Sequence, residues 1–403
     1  MPIVLLLLAI SLYYGWRYSQ TEVDPDWSMF NLWGFTGSRY GRDFADCKTP
    51  AIHYWYWLLA KIVGKKIERI KFAHHFLLGS VGIILYLTTG NLYTSLVYTI
   101  LINSGWLLAF HGNVGQHPAA FIAIALVAPS PLIAAPMLLL AVLWEPKLLL
   151  SIVAFVLIKG WWWTGLAIPP AVAFYLVFRN AEWFKQWWES SVTIPLRMSK
   201  ARKLADFPYM PWFTANVTLY LLPWLFAAGY SKPDLWYWLP AAMFLMVTLA
   251  GKVVRQNHLI PLVAWVAMAN ISPVVVIALV ITDLVSAGGY WKENWERFYG
   301  FIAEIHPEVR NVGEWLRDKP GVVWVNSLHS GVYIHARKPV PFGLCEQIEI
   351  REAAHERREE MKRRFKENPP DLVVVGNSPG IKFLENGYRK VAQASETVIY
   401  RKQ

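Results

Sequence analysis

From Phe72 to about Val285 the chain is one apolar run after another, interrupted only by short punctuation of proline, glycine or charge. The runs are Phe72–Thr89, Leu92–Phe110, Pro118–Ala128, Pro131–Trp144, Leu148–Ile158, Leu166–Phe178, Pro211–Tyr230, Leu235–Leu249, Leu259–Met268 and Ile271–Val285. A bilayer accommodates such segments only if each satisfies its own backbone hydrogen bonds, which in a chain of this pattern means helices. Several are shorter than the ~20 residues a full crossing needs, so some helices are broken or re-entrant. The N-terminal "MPIVLLLLAI" lacks the basic start and the small-residue cleavage site of a signal peptide, and aromatics ("LYYGW") follow at once. It reads as a retained first span. The expectation is a mostly α, polytopic membrane protein of about eleven spans.

Composition agrees. Hydrophobic residues make up 55% of the chain and charged ones 17%, and 22 tryptophans suit rings at headgroup depth. The net charge of +11 favours anionic partners such as membrane lipids and lipid phosphates. Nucleic acid is not expected: no basic domain stands apart from the spans, and no zinc or helix-turn-helix pattern is present. Two cysteines, Cys47 and Cys345, exclude a disulfide framework and a cysteine-based zinc site.

Two stretches differ from the spans. Pro50–Lys71 joins an apolar start to a basic tail, and Arg179–Phe207 interleaves Trp183, Trp187 and Trp188 with Lys185, Arg197, Lys200, Arg202 and Lys203. Both suit segments lying along the interface near anionic headgroups. After Gly288 the pattern changes. "GVVWVN" (321–326) and "DLVVVG" (371–376) are short buried-strand patterns, and Thr397–Arg401 a third. A charged helix over 347–368 carries opposite charges four apart. The division expected is 1–302 for the membrane domain, with a first loop at 16–71, and 303–403 for a small soluble α/β domain.

The first loop holds "TEVDPDWSMF", three carboxylates (Glu22, Asp24, Asp26) within five residues at a membrane edge. Such acids can begin a helix, take a proton from an attacking hydroxyl, or hold a divalent cation. Farther on, "RDFADCKTP" supplies Asp43, Asp46 and Lys48, and His53 follows Pro50. "RQNHLIPL" places Arg255 and His258 beside an apolar run. "HGNVGQH" ends in Gln116 and His117, a polar island among spans, and polar groups at membrane depth point to function. His74 and His75 are adjacent, so they face different sides of a helix and cannot jointly chelate one ion.

In this order (apolar helix, acidic D-x-D loop, D-x-K-x-P segment, many spans, small polar tail) the chain resembles the GT-C membrane glycosyltransferases. The resemblance is to the branch of dolichyl-phosphate-mannose–protein mannosyltransferases and lipid A aminoarabinose transferases. Asp24 and Asp26 match the acidic pair. Asp46 to Pro50 matches the second segment, with Thr49 where the first proline is usual, and Arg255–Pro261 is similar to an R-Y-x-L-P stretch. The resemblance implies an enzyme moving a sugar from a polyprenyl-phosphate donor to an acceptor hydroxyl, usually with inversion. It implies Asp24 as base, then Asp26, with Glu22 behind them, and a donor phosphate held by Lys48, Arg255 and His258. Asp43, Asp46, His53, Gln116 and His117 are candidates to line the substrate cavity. A divalent metal on Asp24 and Asp26 is compatible with the sequence but not required by it. The acceptor, whether protein, lipid or glycan, stays open. So does a transporter or flippase of an anionic lipid-linked substrate, which short broken spans also suit. The resemblance implies a multi-pass plasma-membrane protein with the acidic loop and the C-terminal domain outside, although basic-loop counting alone favours the opposite orientation.

Overall fold

The structure is a computed structural model. It describes residues 2–20, 25–40, 43–45, 49–103, 115–159, parts of 172–197, 222–250, 256–281, 306–326, 330–341, 344–345, 359, 363–375, 387–394 and 397–403. Contacts divide the chain into two compact units: residues 1–21 with 68–292, and residues 22–67 with 293–403. The boundary expected near residue 302 followed composition. The contacts instead group the first loop with the C-terminal segment.

The larger unit is helical. Its elements are α1 (Pro2–Ser19), α4 (Ile67–Thr89), α5 (Leu92–Ile102), α6 (Gln116–Val127), α7 (Pro131–Trp144), α8 (Leu149–Lys159), α9 (Leu235–Ala250) and the short α10 (Val263–Ala267). Among the described residues only α4 is both long and apolar enough to cross a membrane by itself; α1 has 18 residues and the shorter apolar helices run 10–17. One continuous core joins Tyr14 and Tyr18 of α1, Leu78 and Leu85 of α4, Tyr98 of α5, Ile122 of α6 and Val263 to Ala267 of α10. The outward faces are apolar too: Leu87, Leu132 and Leu235 are each about 70–80% exposed, a surface that water disfavours and lipid accepts. Close approach of α4 and α5 depends on Gly82, where a Cβ would collide with the Thr99 hydroxyl. Thr99 Oγ1 donates to the Gly79 carbonyl at 3.3 Å across the same seam.

The expected interfacial stretch Pro50–Lys71 is two elements. A helix, α3, ends at Val63 because Gly64 turns the chain with φ +84°, and Ile67–Lys71 opens α4. The first long span therefore begins before Phe72, and its basic residues occupy its first turns.

The smaller unit holds α2 (Pro25–Thr36), β1 (Phe44–Ala45), α3 (Pro50–Val63), α11 (His306–Arg317), β2 (Val323–Asn326), α12 (Gly331–Ala336), β3 (Leu344–Cys345), β4 (Leu372–Val375), β5 (Tyr388–Ala394) and β6 (Thr397–Lys402). Strand order is β2-β4-β6-β5: β4 is parallel to β2 and antiparallel to β6, and β5 and β6 form a hairpin. The predicted strands at 321–326, 371–376 and 397–401 are all present; β5 is additional. Trp324, Val373 and Phe365 fill one face of this sheet. The first loop is stitched into the unit. β1 pairs in parallel with β3 (Phe44 with Leu344), the Val340 N–H donates to Ser38 Oγ at 2.7 Å, and Gly331 lies against Ser28.

Candidate functional site

Both short motifs of the first loop stand at helix starts. α2 begins at Pro25, so Asp24 precedes its first residue and Asp26 is its second; α3 begins at Pro50, directly after Lys48 and Thr49. Proline suits a first helical position, where the missing N–H had no partner in any case. Thr49 has φ −66° and ψ 150°, the extended form that a following proline imposes, and its side chain does not cap the helix. The first N–H groups of such helices favour negative charge, whether a carboxylate or a phosphate.

The two helices pack side by side, with Phe30 against His53 and Tyr56, Trp33 against Tyr54 and Trp57, and Gly34 against Tyr56 and Ala60. These positions rise together along both helices, so α2 and α3 run in the same sense and present their N-termini at the same end. Pro25 and Pro50, the first residues of the two helices, are thus held on one side of the unit.

His53 is wholly buried: Tyr40 stacks on it at 4.5 Å, and Phe30 and Phe44 meet it edge-on at 5.7 and 5.3 Å. Asp43 closes a local turn, its Oδ2 accepting from the Arg39 N–H at 2.8 Å. Glu22, Asp24, Asp46, Lys48 and Arg255 lie outside the described residues. For Asp26 and His258 only the backbone is described: Asp26 in α2, and His258 in a 3-10 turn, Gln256–Leu262.

Gln116 and His117 open α6 inside the larger unit, where they meet residues to which the sequence reading gave no role. Gln116 Nε2 donates to the Ile102 carbonyl at 2.8 Å, and its Oε1 lies 3.0 Å from His74 Nε2. His117 stacks on Trp144 at 4.2 Å and sits 5.2 Å from the His74 ring. His75 makes a separate set of contacts: Nδ1 is 3.0 Å from Asn103 Oδ1, and Tyr18 stacks on the ring at 3.8 Å while donating its hydroxyl to the Asn103 carbonyl at 2.7 Å. The neighbouring histidines do serve different partners, as their adjacency required. Lys71, one turn earlier on α4, is 1% exposed. The signal for this network was present as His74 and His75 near the head of an otherwise apolar helix. Its partners come from α1, α6, α7 and the end of α5, and sequence spacing does not show them. Such a network ties together the ends of five helices. Among the described residues no three histidine, cysteine or acidic side chains are grouped to hold a metal ion.

No protein-family model matches the chain, and no curated protein matches it. Among solved structures, the crystal structure of ArnT from Cupriavidus metallidurans bound to undecaprenyl phosphate matches 98% of this chain and 97% of that one, with a TM-score of 0.59 and 12% identity. A likeness of that extent at that identity establishes the fold: the chain shares the architecture of that structure over nearly its whole length.

Proposed function

We propose that the chain is an integral-membrane glycosyltransferase that moves a sugar from a polyprenyl-phosphate donor to an acceptor hydroxyl. The observation that carries this reading is the near-complete match to a protein crystallised with undecaprenyl phosphate. The acidic pair and Lys48 add to it, since they flank the starts of two helices that point the same way.

In this reading Asp24 accepts the proton of the acceptor hydroxyl as its oxygen bonds to the anomeric carbon, with Asp26 next in line and Glu22 third. The bond from that carbon to the phosphate oxygen breaks on the opposite face, so the configuration inverts and the polyprenyl phosphate leaves with the electron pair. Lys48, Arg255 and His258 hold the departing phosphate, where fixed cations act most strongly in a poorly hydrated site. Asp43 shapes the loop, in keeping with its bond to the Arg39 N–H. Gln116 and His117 act through the helix ends they join. The protein is multi-pass, with the acidic loop and the small α/β segment outside. Basic segments counted against that orientation then have a lipid phosphate as a common partner.

The test uses the full chain in liposomes, with a synthetic polyprenyl-phosphate sugar as donor. Asp24→Asn is expected to lower transfer by about 10²–10⁴-fold, the usual contribution of a general base, while donor binding stays intact. Lys48→Ala is expected to weaken donor binding. Transfer at the parent rate by an Asp24→Asn, Asp26→Asn double variant would sink the assignment. Lipid translocation without transfer in the same liposomes would favour a flippase.

A further inference from the structure

The small unit carries a groove with a volume of about 880 Å³, within the range of sites that hold small ligands. Val322 and Val323, at the start of β2 on one edge of the four-stranded sheet, are part of its lining. Among the described residues, Lys338, Arg363, Arg364 and Lys402 line it, with one acid, Glu367. Three of these cations stand on secondary structure and the fourth just after it. Lys338 follows α12 and donates its ammonium to the Lys319 carbonyl at 2.6 Å. Arg363 is held by Glu367 at 2.7 Å, one helical turn away. The helical segment that carries both arginines is fixed by Phe365, which meets Trp324 at 4.9 Å on the sheet. Lys402 ends β6, its N–H donating to the Asp371 carbonyl. The nearby Asp371 carboxylate accepts from the Val322 N–H at 2.6 Å.

Four cations and one acid among the described residues of one groove differ from a solvated charge run, in which signs alternate along an open face. Adjacent arginines offer planar forks that match phosphoryl oxygens, and lysines add point charges around them. We propose that this groove on the small unit binds phosphoryl groups, separately from the acidic segment at the start of α2.

Lys402 is exposed, so its reactivity reports occupancy of the groove. The full chain is placed in phosphatidylcholine nanodiscs, in the same discs with inorganic pyrophosphate, and in discs containing phosphatidylglycerol. The rate of Lys402 acetylation by acetic anhydride is followed by peptide mass spectrometry, with Lys390 of β5, which lies outside the groove and bonds to Gln393, as the internal control. Protection of Lys402 but not Lys390 by pyrophosphate would support the groove and identify a soluble phosphoryl group as ligand. Protection only in phosphatidylglycerol discs would support it with a lipid headgroup as the source. In either case Arg364→Gln should raise the half-protecting concentration about tenfold, as expected for losing one charged hydrogen bond, with the melting temperature unchanged. Equal protection of Lys390, no protection under any condition, or protection indifferent to Arg364→Gln overturns the proposal. Sugar transfer does not enter the readout, so the groove stands or falls independently of the enzymatic reading.

Discussion

Gly34 is where the spacing of α2 and α3 is set, and adding one methyl group there should be felt at the acidic end of α2. A Cβ on Gly34 would lie 2.8 Å from Ala60 Cβ, 3.4 Å from the Tyr56 carbonyl oxygen and 3.6 Å from Trp57 Cα. Ordinary carbon contacts are about 3.5–4.0 Å, so Gly34→Ala must part the helices by about 1 Å. The stability terms oppose each other. Alanine in place of glycine gains up to about 1 kcal/mol of helix propensity, and overpacking costs about 1–3 kcal/mol. The net is a loss of roughly 0–2 kcal/mol, a drop of a few degrees in melting temperature. Asp26 lies two turns up α2, about 12 Å along the axis. A displacement of about 1 Å at reacting groups can lower a rate about 10²-fold, so transfer should fall far more than stability does. Adding Ala60→Gly removes the clash at a propensity cost of about 1 kcal/mol and should restore both the rate and the melting temperature. The assay is initial-rate sugar transfer beside thermal unfolding for parent, single and double variants. Unchanged transfer by Gly34→Ala, or a double variant no better than the single, would refute the claim that this helix pair positions the acid.

The other expectations concern stability. Gln116→Leu removes bonds to the Ile102 carbonyl and His74 inside the helical unit and should cost about 1–3 kcal/mol, measured by thermal unfolding in detergent. Gly321→Ala should destabilise by about 1–3 kcal/mol, because φ is +97° and a Cβ would crowd the Asp371 carboxylate; hydrogen exchange along β2 and β4 would report it. Burial, and then the charge of Asp371, push the Tyr388 phenol up to about 12. A raised value means the neutral phenol stabilises the fold fully below the ordinary tyrosine value of about 10 and loses that contribution as pH climbs to about 12. Tyr388→Phe should abolish this alkaline dependence and cost about 1 kcal/mol from the bond to the Pro370 carbonyl, read by pH-dependent unfolding.

Where the sequence carried local signals, the elements fell where expected. α7 occupies Pro131–Trp144 because Ser130 caps its start, accepting from the Leu132 N–H, and Glu145-Pro146 ends it. Strand β4 is the apolar run after Asp371. Where the signal was weak or non-local, the reading fell short. The break between α3 and α4 rests on a single glycine inside a continuous basic stretch. Strand β5 is polar along much of its length, as an edge strand can be, and reads as loop. β1 and β3 are two residues each, too short for any periodicity. The candidate acids were visible by their spacing, whereas the Tyr18, His75 and Asn103 contacts join residues far apart in the chain and leave no local trace.

The seam formed by β1 with β3, Ser38 with Val340 and Ser28 with Gly331 bears on how this protein can be dissected and how it matures. A recombinant piece comprising only the polar tail would lack the strand and helices that complete its interior, and its apolar residues would face solvent. During synthesis, residues 22–67 must wait until residues from 293 onward have been made before meeting their partners. Closing so long a loop is entropically slow, so a segment made much later completes the fold around this early loop.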